Sequence, residues 1–236
     1  MLGESKQHRP SLRLALRTAK VGVIAELKRR SPSKGTLNNA LNAGQSVLFE
    51  RGGAAAISVL TEPEFFGGSL DDLIAVRSAV RLPLLKKDFH IDPSQLVEAR
   101  VAQASAALLI VRALSPDQLT KMMNAAKLLE LETVVEVRTE QELERALEAG
   151  AEIIGVNSRN LETLEVDDRV PERLIPKVPP HLITIWESGI RGIDNVRRAA
   201  ECGADAVLVG SALSRSTDPA QLVQSLSDVP RQSRHG

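Results

Sequence analysis

The chain has no tyrosine, one tryptophan, four phenylalanines and one cysteine in 236 residues. Aromatics make up 2% of it, too little for the stacking surfaces on which single-stranded nucleic acids rest. Neither sign of charge dominates: 30 Lys plus Arg balance 30 Asp plus Glu, and there is no basic stripe. Binding to nucleic acid or to an anionic membrane therefore has no electrostatic footing. No apolar run is long enough to span a bilayer. The start, Met1 to His8, is polar and lacks the apolar core of a signal peptide. The lone Cys202 excludes an internal disulfide; it reads as a packing residue at a helix end and fits a reducing, cytoplasmic setting. His8, His90, His181 and His235 are scattered, so no metal-ligand spacing arises. What remains, 43% hydrophobic and 25% charged, is ordinary globular composition, at a length that one α/β barrel or two domains could use.

What is present is a recurring alternation. Residues 1–21 read as a polar, partly helical extension in which Ser11 caps a short helix. Apolar strand patterns follow at 22–27, 55–60, 82–85, 106–111, 132–137, 152–157, 182–187 and 206–209. Helix signals separate them. Ser69 precedes a stripe of Leu70, Leu73, Ile74 and Val76. Asp92-Pro93, Ser115-Pro116-Asp117 and Asp218-Pro219 open helices, and Thr139-Glu-Gln-Glu142 reads as a capping box. Gly53-Ala-Ala-Ala-Ile-Ser-Val, Gly150-Ala-Glu-Ile-Ile-Gly-Val and Gly203-Ala-Asp-Ala-Val-Leu-Val recur about every fifty residues, as two βα units would. Gln103-Ala-Ser-Ala-Ala-Leu-Leu is a degenerate copy. Their small residues are expected to end a helix and let it pack closely before the next strand.

Eight βα units in a right-handed series close into a (βα)8, or TIM, barrel. A doubly wound open sheet is the competitor. It is expected to carry Gly-x-Gly-x-x-Gly after its first strand, and that pattern is absent. The expected organisation is a barrel over 22–229, after an extension over 1–21 and before a flexible tail over 230–236.

In such a barrel the chemistry sits at the C-terminal strand ends. Those ends carry Glu26 and Lys28, Lys86 and Lys87, Glu136, Asn157, Glu187 and Ser188, and Gly210 and Ser211. Glu26 and Lys28 lie two apart, so on a strand they share a face. Acids and lysines around one mouth suit acid–base work. The small residues after the last two strands expose backbone N–H groups where these barrels bind phosphate. Taken singly, Glu26 or Glu136 could equally be an ion-paired acid at the core's edge, and Ser188 or Ser211 a turn residue. Of the adjacent Lys86 and Lys87, one is expected to face the mouth and the other to be structural or solvated. Arg29, Arg30 and Lys34 read most simply as a solvated loop face. The functional reading rests on the coincidence of all the strand ends.

The stretches Ile24-Ala-Glu-Leu-Lys28, Ser31-Pro-Ser-Lys-Gly35, Lys87-Asp-Phe89, Glu136-Val137, Gly155-Val-Asn-Ser-Arg159, Glu187-Ser-Gly-Ile190 and Gly210-Ser-Ala-Leu213 run in one order over about residues 9–220. Together they resemble the indole-3-glycerol phosphate synthase family of tryptophan biosynthesis. The resemblance implies a decarboxylating lyase acting on 1-(2-carboxyphenylamino)-1-deoxyribulose 5-phosphate. It implies Lys87 as general acid, Lys28 and Glu136 sharing the dehydration, Glu26 positioning a lysine, and Asn157 bonding sugar hydroxyls. Phe89 would wall the anthranilate ring, and Ser31, Arg159, Glu187, Ser188, Gly189, Gly210 and Ser211 would line substrate and phosphate positions. No cofactor or metal is implied, because the iminium formed on ring closure is its own electron sink. The expected partner is the sugar phosphate alone, with no nucleic acid and no membrane. A cytoplasmic monomer is expected, open to association with other tryptophan-pathway enzymes. Family members usually carry a further N-terminal helix over the mouth, which is mostly lacking ahead of Arg9-Pro-Ser-Leu-Arg13. Leu12 stands where Phe is frequent, and Asn160 where Asp is common. Two rivals remain at this stage: a sugar-phosphate isomerase with the same phosphate loops, and a non-catalytic barrel that binds a sugar phosphate or a partner.

Overall fold

The computed structural model describes residues 9–32, 35–37 and 42–234. Ser33, Lys34, His8 and His235 lie outside the described residues. Eight parallel strands form the barrel: β1 (Gly22–Leu27), β2 (Ala56–Leu60), β3 (Leu84–Lys87), β4 (Ala106–Ile110), β5 (Glu132–Val137), β6 (Ile153–Asn157), β7 (Ile183–Glu187) and β8 (Ala206–Val209). Each pairs with its neighbours in sequence. β8 returns to β1 in the register Gly22↔Ala206 to Ala25↔Val209, which closes the sheet.

Among the described residues ten α-helices accompany them: α1 (Leu12–Ala15), α2 (Ala43–Arg51), α3 (Leu70–Ala79), α4 (Pro93–Val101), α5 (Pro116–Leu128), α6 (Glu140–Glu148), α7 (Arg169–Leu174), α8 (Ile193–Glu201), α9 (Ser211–Ser214) and α10 (Pro219–Leu226). Both sheet faces are covered, which is why the strands read as unbroken apolar runs and not as alternations. Outward side chains such as Val23, Ile57, Val135 and Val207 pack against the helices. Inward ones (Ile24, Leu85, Leu108, Val134, Ile153, Ile185 and Leu208) fill the barrel.

The N-terminal segment plugs the barrel floor. Leu12 and Leu16 are fully buried in that inner cluster, each contributing roughly 1.5–3 kcal/mol by burial. Ser11 caps α1, as expected, and the Glu132 carboxylate at the start of β5 accepts from Ser11 Oγ and Leu12 N, both at 2.6 Å. The floor is therefore sealed, and among the described residues the cavity opens at the C-terminal strand ends.

Several expectations need correction. The third strand begins at Leu84, not Leu82, and includes both lysines; Pro83 has no N–H to give to the ladder, so only its carbonyl pairs, with Ile57 N at 3.0 Å. The fourth ends at Ile110, where Val111–Ala113 turns into a 3₁₀ helix. Thr139 caps α6, but the box is half formed: Glu142 accepts from Arg138 N at 2.6 Å, one residue earlier than the motif requires. Ile74 is 47% exposed and does not belong to the buried stripe of α3. Gly53 and Gly150 serve conformation and not close packing. Their φ values are +89° and +80°, and a Cβ on either would meet nothing within 4 Å. Gln103 adopts the same left-handed backbone, φ +60°, without glycine's freedom. Arg29 is no solvated charge: its guanidinium grips the Asp72 carboxylate through two bonds of 2.6 Å. Helix α2 buries Ser46 and Phe49, and α7 buries Val170, Pro171 and Leu174.

The tail expected to be frayed is docked through residue 234. Arg231 Nη1 meets Asp205 Oδ1 at 2.5 Å, and Arg234 Nη1 meets Asp205 Oδ2 at 2.8 Å and Gly203 O at 2.9 Å. The Arg234 side chain is 4% exposed, because the ends of β7 and β8 supply the carboxylate and carbonyls that satisfy it. Arg234→Ala is expected to destabilise the fold by roughly 2–3 kcal/mol, read as a lower denaturant midpoint, with turnover unchanged at the far end of the barrel.

Candidate active site

The charged strand ends converge on a cavity of about 790 Å³ at the open face. On β1 the alternation that turns Ile24 inward also turns Glu26 inward, and Lys28 follows on the same side. Lys28 Nζ meets Glu26 Oε1 at 2.5 Å. Burial raises the Glu26 carboxyl, but the charges of Lys28 and Lys87 outweigh it and hold the group below the ordinary glutamate value. Room for this pair comes from β8. A Cβ on Gly210 would overlap Glu26 Oε1 and lie 3.0 Å from Lys28 Nζ.

The two adjacent lysines of β3 part company, as side chains on successive strand residues must. Lys86 points outward, is 2% exposed, and is paired with Asp88 at 3.5 Å and Glu98 at 3.7 Å. Asp88 in turn accepts from Thr61 Oγ1 at 2.5 Å. His90, also buried, bonds the Leu108 carbonyl oxygen through Nδ1 at 2.7 Å. This network lies behind the mouth and anchors the strand end from outside.

Lys87 points inward. Its Nζ lies 3.3 Å from Glu136 Oε2 and 3.2 Å from Glu187 Oε2. Burial works against its charge, but Glu187, Glu136 and Glu26 together overcome that and lift it well above the ordinary lysine value. It is an ammonium at any neutral pH. Glu187 is 1% exposed. Burial, with the neighbouring Glu136 carboxyl, pushes its own carboxyl up to about 8 against the opposing pull of Lys87. Glu187, expected among the substrate-lining residues, borders the cavity and also stands in the ionic centre. Its place depends on Gly155 of β6, where a Cβ would overlap Glu187 Oε1.

The other expected residues ring this centre. Asn157 is buried at the end of β6, where its Oδ1 accepts from Arg159 N at 2.9 Å. The Arg159 guanidinium donates to Leu164 O at 2.7 Å and borders the cavity. Ser31 pairs within Arg30–Ser31 against Gly35–Thr36, and its buried hydroxyl has no partner among the described residues. Ser188 and Gly189 leave β7 with φ of +66° and +81°. Gly210 and Ser211 open α9. Phe89 is 39% exposed at the rim, tilted against Phe66 with ring centroids 6.3 Å apart.

Sequence reasoning missed the apolar companions Phe65 and Phe66 and two rim cations, Arg191 and Arg215. The loop carrying the phenylalanines is held by Glu62, whose carboxylate accepts from the backbone N–H groups of residues 64, 65 and 66 at 2.7–3.1 Å. A Glu–Pro pair right after a strand end is the signal that could have marked it.

Comparison with known proteins bears on the fold and the family. Among solved structures, tryptophan synthase subunit alpha from Legionella pneumophila superposes with a TM-score of 0.67 at 13% identity, covering 91% of this chain and 96% of that one. Thiamine phosphate pyrophosphorylase from Pyrococcus furiosus superposes at 0.66 and 17% identity, covering 87% and 93%. At such identities these matches show the barrel fold alone. Sequence relatives reach further. Indole-3-glycerol phosphate synthase of Parafrankia sp. is 50% identical over 212 residues, 89% of this chain and 79% of the relative. That of Mycobacterium leprae is 50% identical over 213 residues, 90% and 78%. The model of the family described as indole-3-glycerol phosphate synthase matches residues 4–226. With an acid–lysine centre in a sealed eight-stranded barrel and half of its residues shared over nine-tenths of its length, the chain belongs to the indole-3-glycerol phosphate synthase family.

Proposed function

We propose that the mouth catalyses the family's reaction in tryptophan biosynthesis. In it, 1-(2-carboxyphenylamino)-1-deoxyribulose 5-phosphate closes to indole-3-glycerol phosphate with loss of CO2 and water. The observation that carries this reading is the Lys87 ammonium, held between Glu136 and Glu187 inside a largely apolar cavity. Ring closure puts negative charge on the ketone oxygen, and a fixed ammonium is the group that can protonate it as the aromatic carbon attacks. The iminium that results draws the electrons of the departing carboxylate, so decarboxylation calls for no cofactor. Dehydration then needs an acid at the new hydroxyl and a base at the ring proton. Lys28 and Glu136 take those parts, with Glu26 holding Lys28 in place.

Binding follows from the ring of residues around that centre. Asn157 donates its amide N–H groups to sugar hydroxyls, since its oxygen is already engaged. Phe89 walls the anthranilate ring, and Ser31 offers a hydroxyl with no partner among the described residues. The backbone of Ser188, Gly189, Gly210 and Ser211 and the Arg159 cation suit a phosphate. All of these come from one chain, which supports a monomer as the catalytic unit, in a reducing cytoplasm where Cys202 stays a thiol.

The test is single-turnover conversion of the carboxyphenylamino-deoxyribulose phosphate by the purified chain, without added metal or cofactor. Indole fluorescence is expected to appear. Tight binding with no product would overturn the reading in favour of a barrel that only binds.

A further inference from the structure

Three carboxyls (Glu26, Glu136 and Glu187) meet two lysines at the base of the cavity. Lys28 belongs to Glu26. That leaves Lys87 alone against Glu136 and Glu187, whose side chains are 4% and 2% exposed. Two buried carboxylates within hydrogen-bonding reach of each other repel, and one ammonium cannot neutralise both. The Glu187 side is the less provided for. Its Oε1 is buried against Gly155 with no donor in reach, and only Oε2 touches Lys87. The remaining charges that act on the pair are Glu26, which adds to the repulsion, and the more distant Lys28 and Arg159, which face Glu26. A proton placed between the two carboxyls turns the repulsion into a hydrogen bond.

We propose that Glu187 is the proton store of this site: neutral at rest and bonded to Glu136, it reloads Lys87 during turnover and in doing so turns Glu136 into a base. The inference rests on the reaction assigned above. When Lys87 gives its proton to the ketone oxygen, the amine left behind takes the proton of the Glu187 carboxyl 3.2 Å away. Lys87 is an ammonium again, and Glu136 now faces a second negative charge instead of a hydrogen-bond donor. With no proton left between the pair, Glu136 is free to accept the ring proton at the stage when it must be removed. Lys28 then protonates the departing hydroxyl, which leaves as water, and Glu136 takes the carbon-bound proton and shares it again with Glu187. The pair ends with the one proton it began with. Lys28 is left one proton short and recovers it from solvent. That proton is the one the overall reaction consumes when a carboxylate leaves as CO2. Because Glu187 works through Lys87 and Glu136, its part is distinct from that of groups that touch the substrate.

Infrared difference spectroscopy on the full chain reads the store directly. At pH 7 a protonated-carboxyl C=O band, shifted by D2O, is expected. It should fade as pH rises through about 8 and be missing in Glu187→Gln. No such band, or a band untouched by Glu187→Gln, overturns the proposal. A second readout separates the steps in one turnover of Glu187→Gln. CO2 release is expected within about threefold of the unmodified chain, while indole appearance slows about 100-fold, the size of a weakened general base. Equal slowing of both steps overturns the proposal even if the variant folds well. If the unmodified chain makes no indole at all, the assigned reaction fails, and the infrared band still decides whether Glu187 holds a proton.

Discussion

Lys87→Ala is expected to lose at least about 1,000-fold in turnover while keeping its fold, because one side chain supplies both the proton for the ketone and the charge that binds its oxyanion. The loss should fall on kcat, with KM little changed, since the phosphate and ring contacts lie elsewhere in the cavity. The fold should survive for a reason peculiar to this centre. Removing a lysine from beside a buried carboxylate is usually costly. Here the two carboxyls left facing each other already share a proton and remain bonded. Far-ultraviolet circular dichroism and a thermal scan check the fold, and single-turnover fluorescence checks the chemistry. Near-normal turnover in Lys87→Ala would falsify its assignment as the general acid.

The second large effect is expected at a residue with no functional group. Gly155→Ala adds one methyl in mid-strand, where it would overlap Glu187 Oε1 and approach Val134 Cγ1 to 3.1 Å. Neighbouring strands fix the backbone through Glu136↔Gly155 and Gly155↔Ile185, so the strand cannot retreat. The Glu187 side chain must swing out of its slot and lose its contact with Lys87. Turnover is expected to fall about 100-fold, matching Glu187→Gln. Stability is expected to fall by about 1–3 kcal/mol from overpacking. The discriminating measurement is the double variant, Gly155→Ala with Glu187→Gln. If the glycine acts through Glu187, its activity should fall little below either single variant. Fully additive losses would mean that the methyl disturbs the site by another route.

How much of this was legible in the sequence depends on whether the signal is local. Strand ends are largely local: an apolar run that stops at Glu26, Glu136 or Glu187 marks its own end, although the third strand carries on past its apolar run to Lys87, and the order of βα units states the barrel. Caps are local too, which is why Ser11, Asp92 and Ser115 take their expected places. The half-formed box at Thr139 shows the limit, since the Glu142 carboxylate takes the Arg138 N–H and not that of Thr139, a choice the sequence does not state. Arg29 looked like a loop charge because its partner, Asp72, is forty-three residues away. Arg234 looked frayed because Asp205 and the carbonyls that satisfy it lie just ahead of β7 and β8, far from it in sequence.

The sequence by itself determined the eight-unit barrel, the face on which chemistry occurs, and the residue types gathered there, because each follows from periodicity and strand order. Only the tertiary structure decided that Lys87 and not Lys86 enters the mouth, since that turns on a register the strand's start alone settles. Only closure of the sheet decided that Glu187 joins Glu136 at Lys87, and that Gly155 and Gly210 leave room for the Glu187 and Glu26 side chains. Those relations join strands separated by tens of residues. Their energies come from burial, from like charges brought within hydrogen-bonding reach and from a methyl's worth of space, none of which exists until the barrel has closed.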